Sequence, residues 1–407
     1  MKVFGLMFVG LLFALVTCAV RARDVAPIPS VAQTVARSSN TFAVNLYQRL
    51  AAGEQKNLFF SPSSIHTALA MALTGARGQT ASQMREAMDW PSDDPAVTAA
   101  AFHSLLNELK PGKNAHYELH SANSLWGQKG YDWKANFLKL TKEEFLAPLR
   151  EVDYQTAADE AGKQINAWVE KETHDKIKDL IKPGALNADT RLVLANAIYF
   201  KGTWARQFSK DATQDADFRT GGKTVKVPMM FQKARFGYAD DDEAQVLSMP
   251  YKGNELSMVI VLPKKDDGLA DLTKGMTSAK LEARMTRLRM QEAMTYVPRF
   301  KMTSEFGLGS TLQAMGMKDA FAPGTADFSG MDGKRDLFIS AALHKAFVDV
   351  NEEGTEAAAA TGLVVGITAV RVEEPPVTFK ADHPFLFVIR HNITGAILFL
   401  GQVVDPK

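Results

Sequence analysis

Cysteine is nearly absent from this chain: Cys18 is the single thiol among 407 residues. One cysteine cannot form an intramolecular disulfide, so the stability of the folded chain must come from its hydrophobic core. Cys18 also lies inside an apolar N-terminal segment, and if that segment is removed no thiol nucleophile remains. The sequence therefore excludes a disulfide scaffold and, in a processed chain, cysteine-dependent catalysis.

An excess of either charge is also missing, because 47 basic and 46 acidic residues give a net charge of +1. Nothing therefore indicates nucleic acid or an acidic membrane surface as a partner. Scattered lysines from Lys110 to Lys142 are matched by Glu108, Glu118 and Glu143-Glu144. This is typical of a solvated face, with a polyanion site as the alternative. No internal run rich in Pro, Gly, Ser or like charge marks a linker, so a single domain is predicted for residues 30–407.

The usual motifs of enzymes are missing too. There is no Gly-x-Ser-x-Gly elbow and no His-Glu-x-x-His motif, and the eight histidines show no metal-ligand spacing. Gly221-Gly-Lys-Thr224 imitates the end of a phosphate loop, but Asp217 replaces the first glycine, so a turn between two strands is predicted. A hydrolase using His344 or His383 with a serine lacks its nucleophile motif. We expect no enzyme, no metal and no cofactor.

One long apolar run lies at the N-terminus, before the rest of the chain begins. Lys2 precedes Val3–Val16, which is too short for a comfortable membrane span and is followed by Arg21-Ala-Arg-Asp24. This pattern predicts a signal peptide at residues 1–22, with cleavage near Ala19 or Ala22, and a secreted or periplasmic location. Because Leu15-Val-Thr-Cys18 faintly resembles a lipoprotein box, lipid anchoring at Cys18 is the alternative.

Hydrophobic periodicity predicts helices towards the N-terminus and strands towards the C-terminus. The predicted helices are 38–49, a helix that begins at Ser61-Pro62, and 158–174. The predicted strands are 192–200, covered on both faces, 257–263, and a hairpin of 385–389 with 396–400. This distribution predicts an α+β fold.

The most informative segment runs from Asn351 to Arg371. Two acids and Gly354 lead into small uncharged residues, with no proline before Pro375. Alternate side chains from Thr355 to Ile367 can all face a core, and the only charge on the other face is that of Glu356. The segment can therefore become a central β-strand without burying a charge, although its end has the composition of an exposed loop. This combination indicates a stored conformational change rather than catalysis.

This segment resembles the hinge and reactive-centre loop of the serpins, and further motifs resemble that family in the same order along the chain. They extend from about Ser38 to Pro406 and are Asn57-Leu-Phe-Phe-Ser-Pro-Ser-Ser-Ile65, Ala68-Leu-Ala-Met71, Gly75-Ala-Arg-Gly-Gln-Thr80, Asn166-Ala-Trp-Val-Glu170, Leu194-Ala-Asn-Ala-Ile-Tyr-Phe-Lys-Gly-Thr-Trp204, Val227-Pro-Met-Met230, Asp327-Phe-Ser-Gly-Met331 and Asp382-His-Pro-Phe-Leu-Phe387.

The resemblance implies a serpin fold, with helices packed on three β-sheets and a reactive loop at about residues 352–376. The five-stranded central sheet would accept the cleaved loop as an extra strand. The implied function is irreversible inhibition of a serine protease through a covalent 1:1 complex. The implied state is a monomer that forms loop–sheet polymers on heating. A non-inhibitory carrier or chaperone is the alternative, but such members typically interrupt the hinge that is uninterrupted alanine here.

The resemblance also assigns roles to residues. The hinge comprises Glu352, Gly354, Thr355, Glu356, Ala357, Ala358, Ala359 and Ala360. The region where the sheet opens first, the breach, comprises Trp204, Arg299 and Glu352, with Glu352 expected to pair with Arg299. A polar cluster beneath the sheet, the shutter, comprises Ser61, Ser64, Asn196 and His344.

Two positions compete for the scissile bond. The family's count of fifteen positions from Gly354 places it at Thr368-Ala369, where the small side chain suits an elastase-like protease. Counting back from the Asp382 motif gives Val370 or Arg371, and a bond between Arg371 and Val372 would suit a trypsin-like protease. The hinge count is preferred, because extra residues before the bond would leave slack in the inserted strand.

Overall fold

The computed structural model describes residues 29–53, 56–112, 115–355 and 375–407. Several predictions lie outside the described residues: the leader with Cys18, the hinge residues Glu356, Ala357, Ala358, Ala359 and Ala360, and the candidate bond residues Thr368, Ala369, Arg371 and Val372.

The described part contains ten α-helices. They are α1 (Val31–Leu50), α2 (Pro62–Gly75), α3 (Gly78–Ala87), α4 (Pro95–Leu109), α5 (Ala135–Lys139), α6 (Tyr154–Glu172), α7 (Leu269–Lys274), α8 (Ser278–Thr286), α9 (Gly309–Ala314) and α10 (Ser329–Asp332). The predicted helices are confirmed as α1, α2 and α6. Helix α1 begins earlier than predicted, because Ser30 and Gln33 form a capping box. Among the described residues, no helix combines the length and hydropathy needed to cross a membrane.

Fifteen strands occur in the same part of the chain. They are β1 (Leu58–Phe60), β2 (Tyr117–Gln128), β3 (Arg150–Val152), β4 (Leu192–Thr203), β5 (Gln214–Thr220), β6 (Lys223–Asp240), β7 (Ala244–Pro250), β8 (Leu256–Pro263), β9 (Arg289–Pro298), β10 (Phe300–Gly307), β11 (Ile339–Val350), β12 (Gly354–Thr355), β13 (Val377–Lys380), β14 (Phe385–His391) and β15 (Ile397–Val403).

One sheet has the order β10-β11-β12-β4-β2-β3 and is the central sheet of the fold. Strands β11 and β4 run parallel and pair directly with each other between Ile339 and Phe347 of β11. At one end β12 lies between them and is antiparallel to both. The sheet therefore consists of five strands, of which β3 has only three residues, and a two-residue sixth strand. This agrees with the five-stranded sheet expected.

The other sheet has nine strands, in the order β1-β15-β14-β8-β7-β6-β9-β13 with β5 paired to β6. Its strand β6 is 18 residues long and pairs in turn with β5, β9 and β7. The resemblance predicted three sheets, whereas the described residues form two. Two of the expected sheets are continuous because β6 pairs with strands of both. The predicted β14–β15 hairpin and the turn at Gly221-Gly222 are both confirmed.

The central sheet is covered on both faces. One face packs on the main core with α1 and α2, and the other packs under α6 and the connector that follows it, residues 173–191. On that second face Val193, Ala195 and Ala197 contact a smaller cluster that includes Ile165 and Ile181. Burial on both faces explains why the sequence of β4 is apolar without alternation.

Candidate functional site

The candidate site is the seam between β4 and β11 in the central sheet. At one end of the seam β12 lies between the two strands. Gly354 of β12 lies opposite Thr203, and Thr355 lies opposite Gly202 and Val350. The first residues of the predicted hinge thus already form a strand in the seam.

Glycine is the only residue type that fits at position 354. A Cβ atom there would lie 2.0 Å from the carbonyl oxygen of Gly202 and 2.8 Å from the Cα of Thr203. Both neighbours are backbone atoms that cannot move aside as a side chain would. The sequence indicated a glycine for backbone freedom at a pivot, and the structure adds the close approach of two strands.

Thr355 directs its side chain into the main core. It is fully buried, and its hydroxyl lies 2.8 Å from the hydroxyl of Tyr251. Burial raises the pKa of Tyr251, so the phenol keeps its proton, and its ring stacks on Trp204 at 4.6 Å between centroids. Thr355 therefore has the inward orientation that the alternating pattern predicted for the first position.

Glu352 is held by a guanidinium. Arg299 donates from Nε to both carboxylate oxygens, at 2.6 and 2.8 Å, and Thr213 donates its hydroxyl to the same group. Burial raises the pKa of Glu352, but the hydrogen bonds from Arg299 and Thr213 outweigh it, and the net pKa lies below its ordinary value. The carboxylate therefore stays charged although the residue is only 2% exposed. The pairing expected from the resemblance is present, and its role in inhibition stays a prediction.

The residues just before β12 are tied to the chain that leaves β4. Trp204 donates from its indole Nε1 to the carbonyl of Asn351 at 2.9 Å, and its backbone N–H donates to the carbonyl of Glu353 at 3.0 Å. Lys210 pairs with the Glu353 carboxylate at 2.7 Å. Tyr251, Thr213 and Lys210 were missed from the sequence, because they come from segments whose approach only the fold determines.

Deeper in the seam, His344 of β11 lies opposite Asn196 of β4. Its Nδ1 contacts the Asn196 amide oxygen, and its Nε2 accepts from the backbone N–H of Ser61 at 3.1 Å. An amide oxygen only accepts, so the proton is on Nδ1. Burial lowers the pKa of His344 to about 3, and the ring is therefore neutral at physiological pH.

The remaining predicted shutter residues complete one network. Asn196 donates to the hydroxyl of Ser64 at 2.7 Å, which donates in turn to Asn123 at 3.0 Å, and the Ser61 hydroxyl donates to the carbonyl of Leu398 at 2.6 Å. Asn123 of β2 was missed, although alternate polar residues in a strand were the available signal. A fully bonded polar cluster beneath a seam can hold one arrangement of strands and be satisfied in another.

The chemistry of the site is that of strand pairing. Within the described ranges no group of three His, Cys, Asp or Glu side chains could hold a metal ion. The groups that the seam offers to a further strand are the backbone N–H and C=O groups that β4 and β11 now exchange with each other.

Comparisons with known proteins agree with this geometry. The sequence model of the family described as serpin (serine protease inhibitor) matches residues 37–406. The leukocyte elastase inhibitor of horse is 44% identical over 381 residues, which cover 91% of this chain and 99% of that protein. The human leukocyte elastase inhibitor is 43% identical over 383 residues, with 91% and 99% covered. The structure of human thyroxine-binding globulin with thyroxine matches with a TM-score of 0.81 at 32% identity, covering 93% and 100%.

These comparisons overturn the predicted location. The leukocyte elastase inhibitors of horse and human align over 99% of their own length, and the family match begins only at residue 37. The relatives therefore have no counterpart of the apolar leader on which the location rested. The prediction of a secreted or periplasmic protein, with lipid anchoring at Cys18 as its alternative, is wrong.

Proposed function

The chain belongs to the serpin family of serine protease inhibitors, and from this premise we propose that it traps elastase-like serine proteases irreversibly, as a covalent 1:1 complex. The observation that carries the proposal is β12, because two residues of the hinge already extend the central sheet between β4 and β11. A strand that has begun to form between two partners has a template along which it can continue.

In the proposed reaction the protease serine attacks the carbonyl carbon of the bait residue, and the peptide bond breaks. The serine oxygen is then joined to that carbonyl as an ester, and the new amino terminus belongs to the segment that continues into β13, β14 and β15. The other end of the cut loop carries the acyl-enzyme and inserts into the seam. The chain acts as a substrate that is consumed rather than as a catalyst.

The strand register supports insertion without sliding. Thr355 pairs with Gly202 of β4 and with Val350 of β11. The residue numbers of these two partners differ by 148. His344 and Asn196, which now pair directly, also differ by 148 residues. Strands β4 and β11 therefore have only to separate sideways to admit the loop.

Continuing that register gives each loop residue a defined position. Thr361 would lie between Asn196 and His344 on the core-facing side, where a hydroxyl can both donate and accept. It would replace the hydrogen bond that these two side chains exchange now. On the other face the loop offers small residues beneath the connector, with Ala358 between Tyr199 and Phe347, whose rings lie 6.5 Å apart.

The target class rests on the bait sequence. A cut at Thr368-Ala369 presents a small side chain after Val365 and Ile367, which suits an elastase-like pocket. Relatives at 43–44% identity are leukocyte elastase inhibitors by name. A trypsin-like target cut after Arg371 is the second candidate.

A non-inhibitory function has one observation in its favour, since a protein of this fold is a thyroxine-binding globulin. The alanine run of residues 357–360 and the placement of β12 favour inhibition over this alternative.

The test is incubation of the chain with pancreatic elastase or trypsin at near-equimolar ratio, followed by denaturing gels and mass measurement of the released C-terminal peptide. We expect a band at the summed mass with elastase and a peptide of residues 369–407, whereas residues 372–407 would indicate Arg371. The matched controls are Thr355→Arg, which places a charge at a buried position, and Thr378→Arg, which adds the same charge at an exposed one. Clean cleavage with full protease activity and no gain in thermal stability would contradict the mechanism.

A further inference from the structure

A large open cleft lies apart from the seam, between the end of α1, the β5–β6 hairpin and α7. It has a volume of about 1270 Å³. It is also lined by Pro384, between β13 and β14, and by Val404, just after β15. We call it the hairpin cleft. Its size exceeds the usual range of small-molecule pockets, so it admits an extended ligand.

Apolar atoms make up somewhat more than half of the surface that lines the hairpin cleft. Among the lining residues, Leu269 and Val404 are buried, and Ala51, Ala52 and Ala270 contribute small apolar side chains. Two of the polar lining residues are already bonded: Gln402 accepts from Tyr47 and donates to the carbonyl of Lys56, and Gln48 donates to the carbonyls of Thr273 and Met276. The lining therefore offers apolar surface for an alkyl chain beside polar and charged groups.

The lining of the cleft also includes charged side chains. Lys223 of the hairpin and Lys274 at the end of α7 line the cleft, and neither forms an ion pair within the part of the chain that the structure describes. Arg219 is different, because it is engaged by Asp266 at 2.6 Å and Asp382 at 2.8 Å. Two ammonium groups beside an apolar cleft complement a molecule with one anionic end and a long apolar body.

We propose that the hairpin cleft binds a long-chain carboxylate of the fatty-acid type, with its head group at Lys223 and Lys274 and its chain over Leu269 and Val404. The proposal does not depend on protease inhibition. Asp267 also lines the cleft. Of the two acidic residues that line the cleft, Asp267 is the one without an ion pair among the described residues. Its negative charge repels an anion, so removing that charge should favour binding.

The site has a mechanical connection to the reactive loop. Arg219, which lines the cleft, also holds Asp382, two residues after β13, the strand into which the loop returns. A ligand that fastens the hairpin to α7 therefore also restrains the segment that anchors the C-terminal side of the loop. We expect it to raise the melting temperature of the uncleaved chain, because a ligand that binds the folded state alone stabilises it by mass action.

The experiment is calorimetric titration of the full chain with decanoate, laurate and myristate below their micellar concentrations. We expect affinity to rise by about two- to fourfold for each added methylene. The neutral analogue 1-decanol should bind at least tenfold more weakly than decanoate.

Four variants locate the head group and the alkyl chain of the bound ligand. The double variant Lys223→Glu/Lys274→Glu should weaken laurate by about tenfold or more, and Asp267→Asn should leave binding unchanged or tighter. The double variant Lys110→Glu/Lys142→Glu makes the same charge change on the exposed face elsewhere and should bind as the parent does. Ala270→Trp keeps every charge and should block the chain by filling the cleft.

Equal affinity of the parent and the Lys223/Lys274 variant, equal affinity for 1-decanol and decanoate, or no binding by the parent at millimolar laurate would each overturn the proposal. Folding of every variant is checked by the thermal transition without ligand. Trapping of elastase is measured separately, so a failure here leaves the inhibitory mechanism standing, and the reverse also holds.

Discussion

The Glu352–Arg299 pair makes an asymmetric prediction. Glu352 is 2% exposed, whereas the side chain of Arg299 is 42% exposed. In Arg299→Gln a buried carboxylate loses its cation and keeps a neutral amide and the Thr213 hydroxyl. In Glu352→Gln the guanidinium that loses its partner can be hydrated where it stands. The two substitutions delete the same ion pair, and they should not cost the same.

Removing the partner of a buried charge lowers the free energy of unfolding by about 3–5 kcal/mol. The amide of the new glutamine reduces this loss to about 2–4 kcal/mol for Arg299→Gln. The exposed guanidinium left by Glu352→Gln should cost only about 1 kcal/mol. For a chain of this size the first change lowers the melting temperature by about 5 °C and the second by about 2 °C.

Differential scanning calorimetry of both variants and of the double variant at pH 7.5 checks the prediction. The double variant should be more stable than Arg299→Gln alone, because it removes the carboxylate that was left without a cation. A Glu352→Gln variant that is less stable than Arg299→Gln would refute the reasoning.

The sign of the pH dependence follows from the same contact. The folded-state pKa of Glu352 lies below its ordinary value, so its contribution to stability is complete above the ordinary glutamate pKa and is lost as pH falls through the folded value. In Glu352→Gln this part of the acid dependence should disappear.

Four further predictions concern the same sheet. Gly354→Ala should expel β12 from the seam, because its Cβ would lie 2.0 Å from the Gly202 oxygen; a changed fluorescence of Trp204 and a lower melting temperature check this. Tyr251→Phe should cost about 1 kcal/mol through the lost contact with Thr355, and unfolding in urea should show it with an unchanged slope. The folded-state pKa of His344 is about 3, below the ordinary value near 6.5, so stability should fall between pH 6.5 and pH 3 as the unfolded chain takes up a proton; His344→Gln should reduce that slope. Mild heating of Arg299→Gln should give more polymer on native gels than the parent does, and a chain that stays monomeric would count against loop–sheet exchange.

Local patterns predicted much of the fold. The apolar run of β4, the helix start at Ser61-Pro62 and the β14–β15 hairpin follow from periodicity and turn residues within one segment. The inward direction of Thr355 follows from alternation alone, because a strand has only two faces. Features of this kind need no knowledge of what lies opposite.

Features that depend on what lies opposite were out of reach. Asn123 enters the shutter because β2 places it beside Asn196, and Tyr251 meets Thr355 from a segment 104 residues away. Two of the three expected sheets are joined because β6 is long enough to pair with β5, β9 and β7. The sequence did not predict this length, since Pro228 interrupts the strand pattern. The location was wrong for a different reason, since the leader is not part of what the relatives share.

The direction of the strands has a thermodynamic consequence. At its centre the sheet joins β4 to β11 in parallel, although β10 and β2, the outer neighbours of this pair, are antiparallel to them. Parallel pairing is slightly weaker per residue than antiparallel pairing. A strand that enters in the direction of β12 replaces one parallel ladder by two antiparallel ladders, so every residue of advance exchanges a weaker contact for two stronger ones. In the proposed mechanism the uncleaved chain is therefore a protein whose central sheet lacks one strand, and its own sequence after β12 would supply that strand.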